Sequence, residues 1–180
     1  YVLLGQIAEK ASGKRLAELM SERIFKPLQM DATQLADERT KEIKDRARSY
    51  ELSTASENID YTPLNLIYGD GNVNSTVSDM ATWCAAVESG RALPEPWRTQ
   101  AWSPARLSDG SESAYGFGWT IGEWNGSPAF GHGGAWVGFR SMILLAPSDR
   151  LAVVLLANLA TLDAESLAIK VMEIFAEGAR

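Results

Sequence analysis

The residues best suited to chemistry in this 180-residue chain lie in a glycine-rich segment around its one histidine. Four glycines, Gly131, Gly133, Gly134 and Gly138, surround His132 within eight residues. Glycine lets a backbone approach a substrate closely. Amide N–H groups freed in such a segment can form an oxyanion hole, where losing one donor costs roughly 2.7–4 kcal/mol of transition-state stabilisation. The alternative is structural, because a lone histidine often has a structural role and a Gly-Gly pair next to a strand is often a bulge or tight turn. The residues alone leave both interpretations open.

Two other chemistries do not fit the sequence. The His-Gly-Gly triplet also resembles the oxyanion motif of lipases, but that fold needs a G-x-S-x-G turn, and no serine here has glycine two residues away on both sides. Gly69 and Gly71 suggest a phosphate-binding loop, but no Lys-Ser or Lys-Thr pair follows and no βαβ pattern surrounds them. We therefore interpret residues 68–72 as a turn.

Composition excludes several classes of partner and cofactor. With 17 Lys and Arg against 23 Asp and Glu the net charge is −6, and no basic cluster is present to bind nucleic acid or an anionic membrane surface. The longest near-apolar runs, 141–147 and 151–160, fall short of the ~20 residues that span a bilayer. One cysteine, Cys84, and one histidine cannot build a thiolate or imidazole zinc site. We expect no metal and no cofactor, and a buried Cys84.

Hydrophobic periodicity divides the chain into two parts. Residues 1–114 read as mainly helical and loop, with two short helices first, of which the first is predicted to end at Ser12-Gly13. Thr76 is predicted to cap a later helix in a capping-box pattern with Asp79. From Tyr115 the period changes to two, which predicts antiparallel strands over 115–180 and a last helix from about Thr161. The runs 138–146 and 151–156, separated by residues 147–150, predict an antiparallel hairpin. Its second arm, 151–156, is apolar on both faces, so we expect it to be a central strand.

Several segments, in this order and spacing, resemble one family, the serine β-lactamase and penicillin-binding-protein-like hydrolases, which include esterases, D-aminopeptidases and D,D-peptidases. Residues 1–7, 9–13 and 24–30 resemble the helix pair that follows the family's second active-site motif. Residues 69–83 resemble its turn and next helix, and 115–119 with 131–139 resemble its third-motif region. The resemblance implies an α/β (α+β) sandwich in which an antiparallel sheet packs against helices, here lacking the family's N-terminal strands and helices.

The resemblance also implies roles for the glycine-rich segment. His132 takes the first position of the family's third motif, which reads K-T-G or H-x-G, and would orient or polarise the acyl-transfer network. Gly133 and Gly134 complete that motif beside the substrate, and the N–H of Ala135 would be the oxyanion donor. Trp136 either lines the acyl pocket or is an ordinary core tryptophan. Because lysine is always charged and histidine is mostly neutral at pH 7, His132 favours esterase or peptidase activity over β-lactam hydrolysis.

The sequence departs from the family by lacking its nucleophile motifs. It contains no S-x-x-K and no Y-x-N. Ser56-Glu57-Asn58 formally matches S-x-N, but it lies in a polar stretch well after the helix pair that normally follows this motif, so we treat the match as a coincidence. The resemblance therefore implies that the serine, lysine and tyrosine precede Tyr1, and that this chain alone is inactive on small esters, amides, peptides or β-lactams. We expect it to need that N-terminal segment, or to form a homodimer through an open sheet edge. The rival hypothesis is a non-catalytic module that binds peptide or cell-wall fragments. Localisation does not follow from these residues.

Overall fold

A computed structural model describes residues 1–37, 39–40, 43–51, 57–58 and 67–178. The helices of this described part are α1 (Val2–Ser12), α2 (Leu16–Met20), α3 (Val77–Glu88), α4 (Trp97–Ala101) and α5 (Ala164–Gly178), and α2 runs directly into a π-helical turn, Ser21–Phe25. Its short strands are β1 (Gln34–Leu35), β2 (Tyr50–Glu51), β3 (Glu57–Asn58), β4 (Val73–Asn74), β5 (Ala105–Arg106) and β6 (Glu112–Ser113). They pair as β1–β4, β2–β3 and β5–β6. Ser56, of the coincidental S-x-N match, lies outside the described residues.

Four longer strands form one antiparallel sheet in the order β10-β9-β8-β7. They are β7 (Thr120–Trp124), β8 (Ser127–Trp136), β9 (Phe139–Ala146) and β10 (Leu151–Ala157). Helix α3 covers one face of the sheet, where Cys84 and Val87 pack with Phe130 and Leu145. Helix α5 covers the other face. The result is the helix-on-sheet sandwich predicted from the resemblance, in which apolar faces of both element types are buried together.

The prediction that residues 151–156 form a central strand is wrong for the described part of the chain. Strand β10 lies at one end of the sheet, and no described strand pairs along its whole outer side. Its two apolar faces have another cause, because helices cover both of them. Val154 packs on the α3 side and Val153 on the α5 side. An apolar pattern on both faces therefore reported helices above and below the sheet, and not the position of the strand within it.

The expected strand from Tyr115 begins later, at Thr120. Residues 115–119 form a tight turn, in which Tyr115 bridges Thr120 and the N–H of Gly116 donates to the Trp119 carbonyl at 2.8 Å. Gly118 has φ +77°, a conformation that glycine adopts without strain. The alternation of aromatic residues and glycines that resembles a strand is thus divided between a turn and the strand that follows it.

Two helix boundaries follow the sequence signals. Helix α1 ends at Gly13, whose φ of +69° and N–H bond to the Glu9 carbonyl at 2.8 Å close the last turn. Helix α3 begins at Thr76, whose hydroxyl accepts the Asp79 N–H at 3.2 Å. The Asp79 carboxylate accepts hydrogen bonds from the Ala32 N–H at 3.0 Å and the Thr33 hydroxyl at 2.7 Å. This side chain therefore connects α3 to residues 32 and 33. No helix among the residues described is long and apolar enough to cross a membrane.

Candidate active site

The glycine-rich segment forms the C-terminal half of β8, where one side of the strand loses its neighbour. Strand β7 pairs with β8 only as far as Thr120 opposite Gly131, whereas β9 follows β8 to its end. Within the described part of the chain, residues 132–136 therefore have a backbone edge that no strand occupies. We call it the His132 edge.

Backbone alternation shows which groups face the His132 edge. The N–H of Ile121 donates to the Ala114 carbonyl, away from β8, so Thr120 and its partner Gly131 direct their backbone groups toward each other. Because N–H and C=O groups of successive residues in an antiparallel strand point to opposite sides, Gly133 and Ala135 face the same side as Gly131. The N–H of Ala135 therefore points out from the His132 edge.

All of the predicted site residues are exposed together in this half-strand. His132, Gly133, Gly134 and Ala135 are exposed, and Trp136 retains 38% of its accessible surface. His132, Gly134 and Trp136 share the sheet face of buried Phe130, by the two-residue alternation of a strand. Neither the His132 imidazole nor the Trp136 indole is buried in the core of the described structure.

The imidazole of His132 is held on both sides. Its Nε2 lies 2.8 Å from the Tyr115 hydroxyl, and its Nδ1 lies 2.7 Å from the carbonyl oxygen of Gly133. The rings of Tyr115 and His132 meet edge to face, with centroids 5.8 Å apart and an interplanar angle of 65°. The histidine is thus attached to the backbone of the His132 edge and, through Tyr115, to the turn before β7.

Sequence reasoning did not identify Tyr115 or Tyr1 as site residues. The Tyr1 side chain lies near the Tyr115 hydroxyl and interacts with it electrostatically. Burial raises the pKa of Tyr115 above its ordinary value, and the interaction with Tyr1 raises it further. Tyr1 precedes α1, and this end of the helix lies against the turn at Gly69, where an added Cβ would lie 3.0 Å from the Tyr1 carbonyl oxygen. The aromatic alternation could have indicated Tyr115, but no local signal distinguishes Tyr1.

The glycines of the segment differ in how much space surrounds an added side chain. A Cβ on Gly131 would lie 2.8 Å from the Ile143 carbonyl oxygen, so strand packing excludes a side chain there. A Cβ on Gly134 would lie 2.3 Å from the Ser141 hydroxyl, a movable group. A Cβ on Gly133 would meet nothing closer than 3.6 Å, an ordinary contact. Packing among the described residues therefore explains Gly131 fully and does not explain Gly133.

The hairpin that follows the His132 edge is tight and strained. Val137 has φ +48°, an uncommon conformation for a β-branched residue. A Cβ on Gly138 would lie 2.7 Å from the Ser49 Cβ. The Arg140 guanidinium donates to the carbonyls of Val137 at 3.1 Å and Phe139 at 2.7 Å, so it braces the turn. Backbone strain of this kind concentrates beside functional sites.

The described residues contain no group of three or more His, Cys, Asp or Glu side chains placed to hold a metal ion. The His132 edge presents an imidazole, a phenol and exposed amide N–H groups. Such groups can orient a carbonyl and stabilise negative charge on its oxygen.

Comparison with known proteins identifies the family. A beta-lactamase family model matches residues 1–174. The chain belongs to the beta-lactamase family. It is 32% identical over 174 residues to penicillin-binding protein 4* of Bacillus subtilis, an alignment that covers 88% of this chain and 38% of that protein. It is 33% identical over 161 residues to a D-aminopeptidase of Gluconobacter oxydans, covering 88% of this chain and 30% of that protein. The chain thus spans well under half of these relatives.

Solved structures agree on the fold of this beta-lactamase family member. The octameric penicillin-binding protein homologue from Pyrococcus abyssi matches with a TM-score of 0.82 at 23% identity, over 97% of this chain and 41% of that one. The D-amino acid amidase from Ochrobactrum anthropi SV3, complexed with L-phenylalanine amide, matches with a TM-score of 0.72 at 27% identity, over 88% of this chain and 48% of that one. The first likeness concerns the fold alone.

Proposed function

We propose that this chain supplies the oxyanion-stabilising part of a serine hydrolase that works through a covalent acyl-enzyme. The observation that carries the proposal is the His132 edge, where the N–H of Ala135 points outward beside a tethered imidazole. An amide N–H in this position can donate to the oxyanion that forms when a serine attacks a carbonyl. The substrates proposed are small esters, amides, D-amino-acid peptides or β-lactams, and similarity to D-aminopeptidases favours the peptides and amides.

We assign the nucleophile to polypeptide outside these 180 residues. The sequence holds no S-x-x-K and no Y-x-N, and an oxyanion donor without a nucleophile gives only residual catalysis. A preceding segment of the same protein that carries both motifs is the proposed partner. It would also cover the apolar residues of α1 that are now exposed, among them Leu3 at 72% and Ile7 at 61%. The 180-residue chain by itself is then inactive.

In this arrangement His132 and Ala135 act on the reaction, and their neighbours shape the substrate site. The Ala135 N–H stabilises the developing oxyanion, and His132 orients and polarises the groups around the substrate without attacking it. Gly133 and Gly134 leave room for the substrate to lie along the His132 edge, and the exposed indole of Trp136 lines the acyl pocket.

The test uses two substitutions at one position in a longer protein that contains both nucleophile motifs. Ala135→Pro removes an N–H that faces away from β9, so it costs no ladder hydrogen bond. We expect kcat on p-nitrophenyl acetate and on D-alanyl amides to fall about 10²–10³-fold, as for loss of one oxyanion donor. Ala135→Gly keeps the N–H and should stay within about threefold of the parent, since Gly differs mainly by backbone freedom.

Substitution of His132 tests the role of the imidazole, with the same two substrates and with nitrocefin. We expect His132→Ala to lower kcat about 10²-fold, the loss that a small misplacement of the groups around the substrate can cause. An undiminished rate would remove His132 from the mechanism.

If the longer protein carries both motifs and hydrolyses none of these substrates, while binding D-alanyl peptides, the non-catalytic binding module is the correct function.

A further inference from the structure

The hydrogen bonds of His132 define which of its nitrogens carries the proton. The Gly133 carbonyl oxygen, 2.7 Å from Nδ1, can only accept, so Nδ1 is the donor. A neutral imidazole has a single N–H. Nε2 is then a bare acceptor, and the Tyr115 hydroxyl at 2.8 Å is its donor. One directed series of bonds therefore runs from the Tyr115 hydroxyl through the imidazole to the Gly133 carbonyl.

We propose that Tyr115 is a positioning residue, whose hydroxyl holds His132 as the Nδ1–H tautomer and thereby fixes the Gly133 peptide beside the Ala135 N–H. This inference rests on the proposed function, because it explains what holds the proposed oxyanion donor, the Ala135 N–H, in place. With both nitrogens engaged, the neutral imidazole has no free lone pair for removing a proton from a nucleophile. Its part is to hold backbone in place.

The His132 edge needs such a support because no strand provides one among the described residues. Gly133 and Ala135 direct their backbone groups to the side that β7 has left, and Gly133 has no side chain to pack. Glycine also has the widest conformational freedom of any residue. The Nδ1–H bond ties the carbonyl of Gly133, two residues before the proposed donor, to a ring that cannot rotate without breaking its bond to Tyr115. A fixed donor lowers the reorganisation needed when charge develops.

Tyr115 is suited to this role by its own surroundings. Its backbone bridges Thr120 at the start of β7, so the phenol is placed by the sheet itself. Its raised pKa, caused first by burial, keeps the hydroxyl protonated and able to donate. Tyr1 lies near the same hydroxyl, but among the described residues the hydrogen bond to His132 Nε2 is made by Tyr115, so the two tyrosines can be separated by experiment.

The experiment is nitrogen NMR of the imidazole in the full chain, whose single histidine makes the spectrum unambiguous. At a pH of about 9, where histidine is neutral, we expect the parent chain to show a protonated Nδ1 and an unprotonated Nε2. In Tyr115→Phe the ring remains and the hydroxyl is lost, so we expect both nitrogen signals to move toward the average of the two tautomers. Tyr1→Phe is the matched control and should leave the Nδ1–H pattern unchanged.

Each outcome decides the inference. An Nε2–H tautomer in the parent chain overturns it without any variant, so the test survives if Tyr115→Phe fails to fold, which far-UV circular dichroism will show. An Nδ1–H pattern that persists in folded Tyr115→Phe, or that is lost equally in Tyr1→Phe, also overturns it. The measurement needs no substrate, so a wrong tautomer leaves the proposed hydrolase activity standing. Conversely, an inactive longer protein leaves the tautomer assignment standing.

Discussion

At the scale of single residues, the two side chains with distinctive chemistry, His132 and Cys84, have opposite environments. His132 is exposed and hydrogen-bonded at both nitrogens, whereas Cys84 keeps 1% of its accessible surface in the core beneath α3. Burial raises the pKa of the Cys84 thiol to about 11. A buried thiol with so little thiolate is inert and packs as a small hydrophobe, which confirms the expectation from its apolar neighbours.

The Cys84 environment predicts slow thiol chemistry. At pH 8, a pKa raised from 9.0 to about 11 leaves roughly 100-fold less thiolate than in an unfolded chain, and burial adds a steric barrier. We expect Ellman's reagent to label the native chain at least about 100-fold more slowly than the chain in denaturant. Equal rates in both states would show that Cys84 is accessible.

The same shift predicts a pH dependence of stability. A group whose pKa is higher when folded favours the folded state fully below its unfolded pKa of 9.0, and that advantage is lost as the pH rises through about 11. We expect the free energy of unfolding to fall between these values. Cys84→Ala should show a shallower fall, because other groups that titrate in this range are common to both chains.

At the scale of elements, the turn over residues 115–119 determines where the site begins. Because the chain turns at these residues, β7 begins only at Thr120 and β8 extends beyond it. The His132 edge is therefore left unpaired among the described strands. The turn also directs Tyr115 toward His132. The turn is held against α4, since the Phe117 N–H donates to the Ala101 carbonyl at 3.0 Å. Its glycines therefore matter to packing and to the site together.

Substitution of Gly116 tests this packing. A Cβ there would lie 2.0 Å from the Ala101 carbonyl oxygen, a backbone atom that cannot move alone. We expect Gly116→Ala to destabilise the chain by at least about 2 kcal/mol, as overpacking does, and to lower the Tm by about 4–8 °C. The control is Gly122→Ala in β7, where a Cβ meets nothing within 4 Å. That change should alter stability by less than about 0.5 kcal/mol, and similar losses in both variants would contradict the packing argument.

At the scale of the whole molecule, α5 and α1 are among the described elements that leave large apolar side chains exposed. On α5, Ile174 and Phe175 are 67% and 65% exposed, and Phe175 lines a groove together with Leu151 and Val153 of β10. On α1, Leu3 and Ile7 are exposed to a similar degree. An unpaired strand edge next to exposed apolar side chains is a template for association. This is the physical basis for the proposed partner, either a preceding segment of the protein or a second copy of the chain.

The isolated chain should therefore associate. We expect sedimentation velocity to show species larger than a monomer at concentrations of tens of micromolar, typical of exposed strand edges. Leu156→Lys places a charge on β10, where Leu156 is 41% exposed, and should shift the population toward monomer. Leu107→Lys makes the same change at a 50% exposed position away from this strand and should not. A folded monomer in the parent chain would contradict the association.

Local signals in the sequence predicted much of the fold. The glycine after α1, the Thr76 cap of α3 and the β9–β10 hairpin depend on residues within a few positions of each other, and each is confirmed. Residue type and spacing were also sufficient to indicate the glycine-rich segment and its histidine as the candidate site. The family followed from motif order, which the match over residues 1–174 confirms.

Only the tertiary structure brought Tyr1, Tyr115 and His132 together and left one side of β8 open. Periodicity reports which face of an element is buried, but it does not report which element lies beside it. The aromatic–glycine alternation from Tyr115 therefore predicted a strand where the chain turns, and the apolar 151–156 run predicted a central strand where two helices cover an end strand. The sequence alone determined the chemical groups and the local turns. That Tyr1, Tyr115 and His132 lie together depended on where β7 begins, because contacts between residues distant in sequence depend on how whole elements pack.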